Sequence, residues 1–338
     1  MRRLIGMMTS AALLATLVAA GLPGVATATA TCTTVTTSKG DMGAAAVNPG
    51  SLSGATVDAG GCQIGVYYST PGSYTVSGTS ITNAQYYGIF VDGITGNVAV
   101  NVTGSTISDI GDSPFDGAQH GVAVYYDGYN TSGTVSGTVS GNTISAYQKG
   151  GIVVNGTNAD VDVTGNTVTG LGPVPFIAQN GIQFGYGASG SATGNTVLGN
   201  SYTGTNDAVS TGILVVGGPG YGAAYTTGLQ VVRNTLAGND VGVYLSNLTA
   251  DYGIPTVPTN IKVVNNTISN NALNNVSGNG YPDGYQAGIS DYYGVNDKII
   301  NNTVSGDGYK QEYCGSAAYC APIDVVGTAL KVHANAIQ

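Results

Sequence analysis

Basic residues are scarce enough in this 338-residue chain to be followed one by one: nine Lys plus Arg, and two His. Lys149 stands in Tyr147-Gln148-Lys149-Gly150-Gly151-Ile152, and His120 in Gln119-His120-Gly121-Val122. An amine whose pKa is lowered by its surroundings can abstract a proton, for example from C5 of a uronic acid. Lys149 and His120 are therefore the candidate catalytic residues. Gln119, Tyr147, Gln179, Asn180 and Gln183 are the candidate substrate contacts. Asp112 and Asp116 could hold a Ca²⁺ that neutralises a substrate carboxylate, although nothing in the pattern requires a cofactor. The competing reading is a solvated Lys149 beside polar side chains that only stitch neighbouring strands together.

These residues meet only if the chain repeats in register, and it does repeat. Asn-Thr followed by an aliphatic recurs at Asn142, Asn166, Asn195, Asn234, Asn266 and Asn302, with earlier variants at Thr79-Ser80-Ile81 and Ser105-Thr106-Ile107. Gly followed by an aliphatic recurs at Gly65, Gly88, Gly121, Gly151, Gly181, Gly212, Gly242 and Gly288. From Gly121 to Gly242 the steps are 30, 30, 31 and 30 residues, and the two anchors alternate throughout. Around the anchors apolar residues alternate, as in Ile152-Val153-Val154, which gives strands with one inward row. One such strand cannot bury its inner face alone and must stack on the next repeat.

The expected fold is all-β: a single-stranded parallel β-helix of eight or nine coils, about 4.8 Å apart. The inward row should run through Ile89, Val91, Val122, Val124, Ile152, Val154, Ile182, Phe184, Ile213, Val215, Val243, Leu245, Ile289 and Ile323. The repeated Asn residues should form a stacked turn in left-handed backbone geometry, a structural role.

The stretches Ser145–Ile152, Gly165–Val168 and Ala178–Gln183 resemble the right-handed parallel β-helix repeats of the pectate-lyase-like superfamily, found in secreted bacterial proteins. The resemblance covers roughly residues 55–330. It implies a right-handed solenoid, but fold does not fix function. Polygalacturonases carry Asn-Thr-Asp, Gly-His-Gly and Arg-x-Lys. Here no Asn-Thr precedes Asp, and the other two motifs do not occur. Pectate lyases of the best-known type use an Arg base, whereas the one Arg after residue 30 is Arg233, replacing Gly in a Gly-Asn-Thr turn.

Composition bounds the partners. Charged residues make up 8% of the chain and Gly numbers 54, which excludes a helical bundle and a solvating disordered chain. Residues 1–30 read as a secretory signal: Arg2 and Arg3, a short apolar run from Ala11 to Ala20, and Ala28-Thr29-Ala30 as the cleavage site. That run is too short to span a bilayer, and no transmembrane segment is expected. The remainder has 18 acids and 7 bases, a charge of −11, which disfavours nucleic acid or an anionic membrane. Export to the extracellular space permits disulfides. Four cysteines allow three connectivities. Pairing neighbours, Cys32 with Cys62 and Cys314 with Cys320, places one staple at each end. Residues 31–60 are expected to cap the solenoid, and 61–338 to form it together with a C-terminal loop or cap.

The connections from Asn-Thr to the next Gly anchor vary from 7 to 21 residues. The long ones hold Asp109, Asp112, Asp116, Asp207, Asp283, Asp307 and Glu312, with Tyr202, Tyr281 and Tyr285. Insertions at one corner of a solenoid gather on one face, often the binding face. In this register Gln119, Lys149 and Gln179 stand two positions before consecutive anchors, and His120, Gly150 and Asn180 one before. The outward strand positions Phe90, Ala123, Val153 and Leu214 are apolar, with Gln183 the exception. A wall of that kind suits a sugar face. The expected function is that of a monomeric secreted protein that binds extracellular polysaccharide. The alternatives are a lyase or epimerase of acidic glycans with Lys149 as base, and a structural or adhesive surface protein.

Overall fold

The computed structural model describes residues 30–275, 284–316 and 318–338. The proposed signal, residues 1–30, lies outside the described residues except for Ala30, and Tyr281 and Asp283 lie outside them too. The chain winds as a right-handed solenoid with three parallel sheets for walls. Each coil gives one strand to each sheet. In the fifth coil these are Gly150–Asn155, Ala159–Thr164 and Thr167–Val174. Among the described residues no helix is long and apolar enough to cross a membrane.

Among the described residues ten coils are present, close to the eight or nine expected, and residues 31–60 contribute the first of them. Thr33–Thr37 pairs antiparallel with Gly40–Val47, and the latter already stacks in parallel on Ile64–Tyr68. Leu52–Ser53 and Thr56–Asp58 complete that first coil. Only the short antiparallel strand remains to cover the first sheet's edge, a region that would otherwise invite pairing. Cys32 is bonded to Cys62 and Cys314 to Cys320, as the spacing suggested. The second bridge ties the four-residue helix Gln311–Cys314 to the start of the last long strand, Tyr319–Thr328.

The core follows from alternation. In the third sheet Thr-Ile-Ser triplets put the aliphatic inward, so that Ile81, Ile107, Ile144, Val168, Val197 and Leu236 form one fully buried column. In the first sheet the columns are Ile89-Val124-Ile152-Ile182-Ile213-Val243-Ile289 and Val91-Tyr126-Val154-Phe184-Val215-Leu245. The recurring Gly has a steric cause. A Cβ on Gly151 would lie 2.5 Å from the Gly181 carbonyl oxygen, and one on Gly181 2.7 Å from that of Gly212.

One anchor is misplaced by the sequence reading. Val124, not Val122, pairs with Ile89 and Ile152, so Ala123 holds the Gly position in the fourth coil. Val122 faces outward, in one apolar cluster with Tyr67, Phe90, Tyr125 and Val153. Ile323 is only half-buried, on the final coil. The Asn turn is corrected too. From Asn166 through Asn335 each ladder Asn accepts, on Oδ1, the backbone N–H and the side-chain amide of the Asn one coil earlier, at 2.9–3.0 Å, and Asn142, which starts the stack, accepts from Ser105 N–H. The residue before the Asn, such as Gly165, Gly194 or Arg233, takes the positive φ instead.

Candidate site on the outer face of the first sheet

Outward side chains of the first sheet stack as Tyr67, Phe90, Tyr125, Val153, Gln183, Leu214 and Tyr244 on consecutive coils. Over Tyr125, Val153 and Gln183 lies a shallow hollow of about 230 Å³. Tyr87, Gln119, His120 and Lys149 border it on the side where the strands begin, Asn155 and Tyr186 where they end. Four of the expected site residues, Gln119, His120, Lys149 and Gln183, therefore share one hollow.

Lys149 is half-buried, and its Nζ donates to the Ala178 carbonyl at 2.7 Å. Desolvation lowers its pKa. Among the described residues it forms no ion pair, and Asp112 pairs with His120. His120 Nε2 lies 2.7 Å from Asp112 Oδ2, and its ring stacks on Tyr86 with centroids 4.0 Å apart. The Gln85 amide hydrogen bond, followed by Gln148 and His120, holds the Asp112 carboxyl below the usual carboxylate range. Asp112 also lines a larger hollow of about 490 Å³ with Asn83, Asp109 and Phe115.

Asp112 and Asp116 both converge on one side chain, that of Gln148. Gln148 stands between them: its Oε1 accepts from both backbone amides, and its Nε2 reaches both carboxylates at 3.3 Å and the Ala118 carbonyl at 2.9 Å. Among the described residues no three His, Cys, Asp or Glu side chains cluster as metal ligands.

Two expected contacts are corrected by burial. Tyr147 has no exposed surface; its hydroxyl donates to Asn200 Oδ1 at 2.6 Å inside the solenoid, and desolvation pushes its phenol far up. Gln179 is equally enclosed, donating to the Tyr147 carbonyl at 2.6 Å and accepting from Leu171 N–H at 2.9 Å. Both serve the frame, as Tyr202, 3% exposed, does in its loop. Asn180 is 8% exposed and acts through its neighbours. Thr211 donates to Asn180, Asn180 to Gln183 and Gln183 to Asn155, at 2.8, 3.2 and 3.1 Å. This relay fixes the Gln183 amide at the base of the hollow.

Sequence reasoning missed the residues that finish this face. Asp92 and Asp127 stand on adjacent coils, fully buried although they point outward, because the turn of the N-terminal hairpin folds over them. Ser38 N–H donates to Asp92 at 2.8 Å and Lys39 Nζ lies 3.0 Å from Asp127. Tyr67 OH also donates to Asp92, at 3.0 Å. Burial raises the Asp92 carboxyl despite these donors. The signal was legible: Asp92, Asp127 and Asn155 each follow the inward aliphatic by three residues. Farther along the solenoid, Tyr285 donates to Asp324 at 2.7 Å and stacks on Tyr319 at 5.9 Å with planes 8° apart. Tyr244 packs beside Tyr285 at 6.5 Å.

A family model described as the right-handed beta helix region matches residues 48–236, more than half of the chain. No curated protein and no solved structure matches it.

Proposed function

The chain belongs to the right-handed β-helix family, and we propose that it is an exported polysaccharide-binding protein whose ligand lies along the outer face of the first sheet. The observation that carries this reading is the hollow that gathers Tyr87, Tyr125, His120, Lys149 and Gln183. Tyrosines offer an apolar ring face to a pyranose and keep a polar tip for its hydroxyls. Lys149, lacking an acid partner among the described residues, supplies a cationic contact in a chain of net charge −9. An acidic glycan with widely spaced carboxylates is the ligand class that fits one cation among neutral hydrogen-bonding groups. Tyr244, Tyr285 and Tyr319 extend the same face toward the C-terminal end. Two disulfides fit an oxidising compartment.

A second reading rests on Lys149 itself. An amine with a lowered pKa beside a sugar-sized hollow is suited to proton abstraction in β-elimination. One experiment separates the two: incubation with pectin, alginate and glycosaminoglycans, with Ca²⁺ and with chelator, following retention on immobilised glycan and absorbance of unsaturated product. Binding without product, weakened by Lys149→Ala and by His120→Ala, supports the binding reading. Product formation by wild type but not by Lys149→Ala replaces it with the lyase. A bound state that requires Ca²⁺ would point to Asp112 and Asp116 as its ligands. Retention on none of these glycans refutes both and leaves an adhesive or structural protein.

A further inference from the structure

The inward column of the first sheet contains one residue that does not belong in an apolar core. Val91, Tyr126, Val154, Phe184, Val215 and Leu245 are followed on the ninth coil by Asp291, and then by Val325. Asp291 is 1% exposed, and so is Asp297, at the next corner of the same coil. Both Asp291 oxygens and Asp297 Oδ2 are buried with no hydrogen-bond donor. These three oxygens crowd around Gly294, where a Cβ would lie 2.3–2.6 Å from each of them. The remaining oxygen, Asp297 Oδ1, is well satisfied, accepting from Thr259 Oγ1 at 2.6 Å and Ile261 N–H at 2.7 Å.

Two carboxylates this enclosed cannot both be ionised, since each would be a desolvated charge facing a like charge. We propose that Asp291 and Asp297 form a buried one-proton site, with Asp291 protonated and donating to Asp297 Oδ2. One proton turns two of the three orphaned oxygens into a donor and its acceptor. Its location follows from the partners: the two donors on Asp297 Oδ1 stabilise charge there, whereas Asp291 lies between Leu245 and Val325.

The surroundings leave the pair isolated. Burial and then Asp297 raise the Asp291 carboxyl, and among the described residues no other titratable group acts on it. Burial raises Asp297, opposed by Thr259, Ile261 and Asp291. The Gly294 amide faces Asp291 and favours its ionised form, but completes no hydrogen bond. Lys262 and Lys298, on the adjoining sheet, form no ion pair with either residue. The folded state thus holds a proton that the unfolded chain releases near the ordinary carboxyl pKa. The stabilisation is complete below that pKa and is lost as pH rises through the raised folded value, up to tenfold in the folded-to-unfolded ratio per pH unit. The last coils of the solenoid are therefore most stable in acid and weaken progressively as pH rises toward the raised folded value.

The test is denaturant unfolding of the full chain from about pH 5 to about pH 9, in chelator and in Ca²⁺, for wild type, Asp291→Asn and Asp240→Asn. An Asn at 291 replaces the shared proton with a permanent N–H donor. Above about pH 6.5, where the raised Asp240 carboxyl has already titrated, wild type and Asp240→Asn should keep losing stability. Asp291→Asn should be flat there and at least as stable as wild type at the alkaline end. A flat wild-type profile overturns the proposal. So does a Ca²⁺-dependent gain that Asp291→Asn abolishes, which would make the pair a cation site. Should Asp291→Asn fail to fold, infrared difference spectra of wild type across the alkaline titration decide. Loss of a protonated-carboxyl carbonyl band supports the shared proton, and its absence at neutral pH refutes it.

Discussion

Two stacks of side chains run the length of the solenoid, and they are built on opposite principles. At the corner before the third sheet the same residue recurs on seven coils, Asn142 to Asn335, each passing one hydrogen-bond pattern to the next. On the outer face of the first sheet the residue changes almost every coil: Tyr67, Phe90, Tyr125, Val153, Gln183, Leu214, Tyr244, Ser290, Asp324. Identity serves the frame, because every coil poses the corner the same problem of unpaired backbone groups. Variety on a continuous wall marks a place where successive coils meet something that is not the next coil. Recognition in this molecule is sought where the repeat is broken, not where it is kept.

The largest expected effect comes from breaking the ladder at its middle. Asn195 Oδ1 accepts from Asn166 N–H and Nδ2, while its own Nδ2 donates to the Val163 carbonyl and to Asn234. Asn195→Ala strands several buried polar groups at once, at roughly 3–5 kcal/mol in all. Asn335, half-buried at the open end of the stack, should cost only about 1 kcal/mol when replaced by Ala. Urea unfolding measures both, and equal costs would mean the ladder is not a cooperative stack.

The outer face should behave in the opposite way. Tyr87→Ala and Lys149→Ala remove groups bordering the hollow and leave the inward columns untouched, so each should lower glycan retention about tenfold, near 1.4 kcal/mol, with little change in the urea midpoint. Gln179→Ala should do the reverse, because that side chain joins the Leu171 amide to the Tyr147 and Gln148 carbonyls inside the frame. If Gln179→Ala alters retention while the fold is intact, the division between frame and face drawn here is wrong.

Frame and face also differ in pH response. Asp240, fully buried, fastens a long loop by accepting from Ser201, Tyr202 N–H, Ser210 N–H and Asn275. Burial still raises its carboxyl to about 6. A folded pKa above the unfolded one places its stabilisation below the ordinary carboxyl pKa and loses it as pH climbs to about 6. Unfolding free energy should therefore fall across that window in wild type, and the slope there should be smaller in Asp240→Asn. An unchanged slope would assign the loss to another group, with Asp92 the next candidate.

How much of this was legible depended on whether a residue answers to the next coil or to its own surroundings. The Asn anchors and most Gly anchors recur because stacking geometry recurs, so the fold, its inward columns and both disulfides could be read from spacing. The fourth coil misled because Ala123 fills the Gly position, while Gly121, with φ 85°, belongs to the incoming loop. The two-residue error placed Gln119 and His120 level with Lys149 and Gly150, where Gly121 and Val122 stand. They reach the hollow by a different route, through the loop that Gln148 pins. Tyr147 and Gln179 looked accessible because polarity in a repeat suggests an outward position. They lie inside because long connections leave backbone amides and carbonyls that need interior partners. The hairpin over Asp92 and Asp127 joins residues 54 and 89 positions apart, a contact that no local period encodes.

The smallest effect tests the frame at a turn where a long charged side chain takes the place of Gly. Every ladder Asn is preceded by a residue of positive φ: Gly141, Gly165, Gly194, Arg233, Asn265, Asn301 and Ala334. Arg233 is exposed and holds φ 57°, a conformation costing a side-chain-bearing L-residue about 1–2 kcal/mol. Its guanidinium forms no salt bridge among the described residues, so little is lost with the side chain. Glycine relieves the left-handed strain but gives the unfolded chain more freedom, which offsets part of the gain. Arg233→Gly should therefore stabilise the protein by about 0.5–1 kcal/mol, seen as a higher urea midpoint with an unchanged slope, and leave glycan retention as it was. Asn234→Gly, one residue later, should be strongly destabilising, because it removes the ladder group itself. Equal effects at the two positions would mean that the turn, and not the stack of amides, holds this corner together.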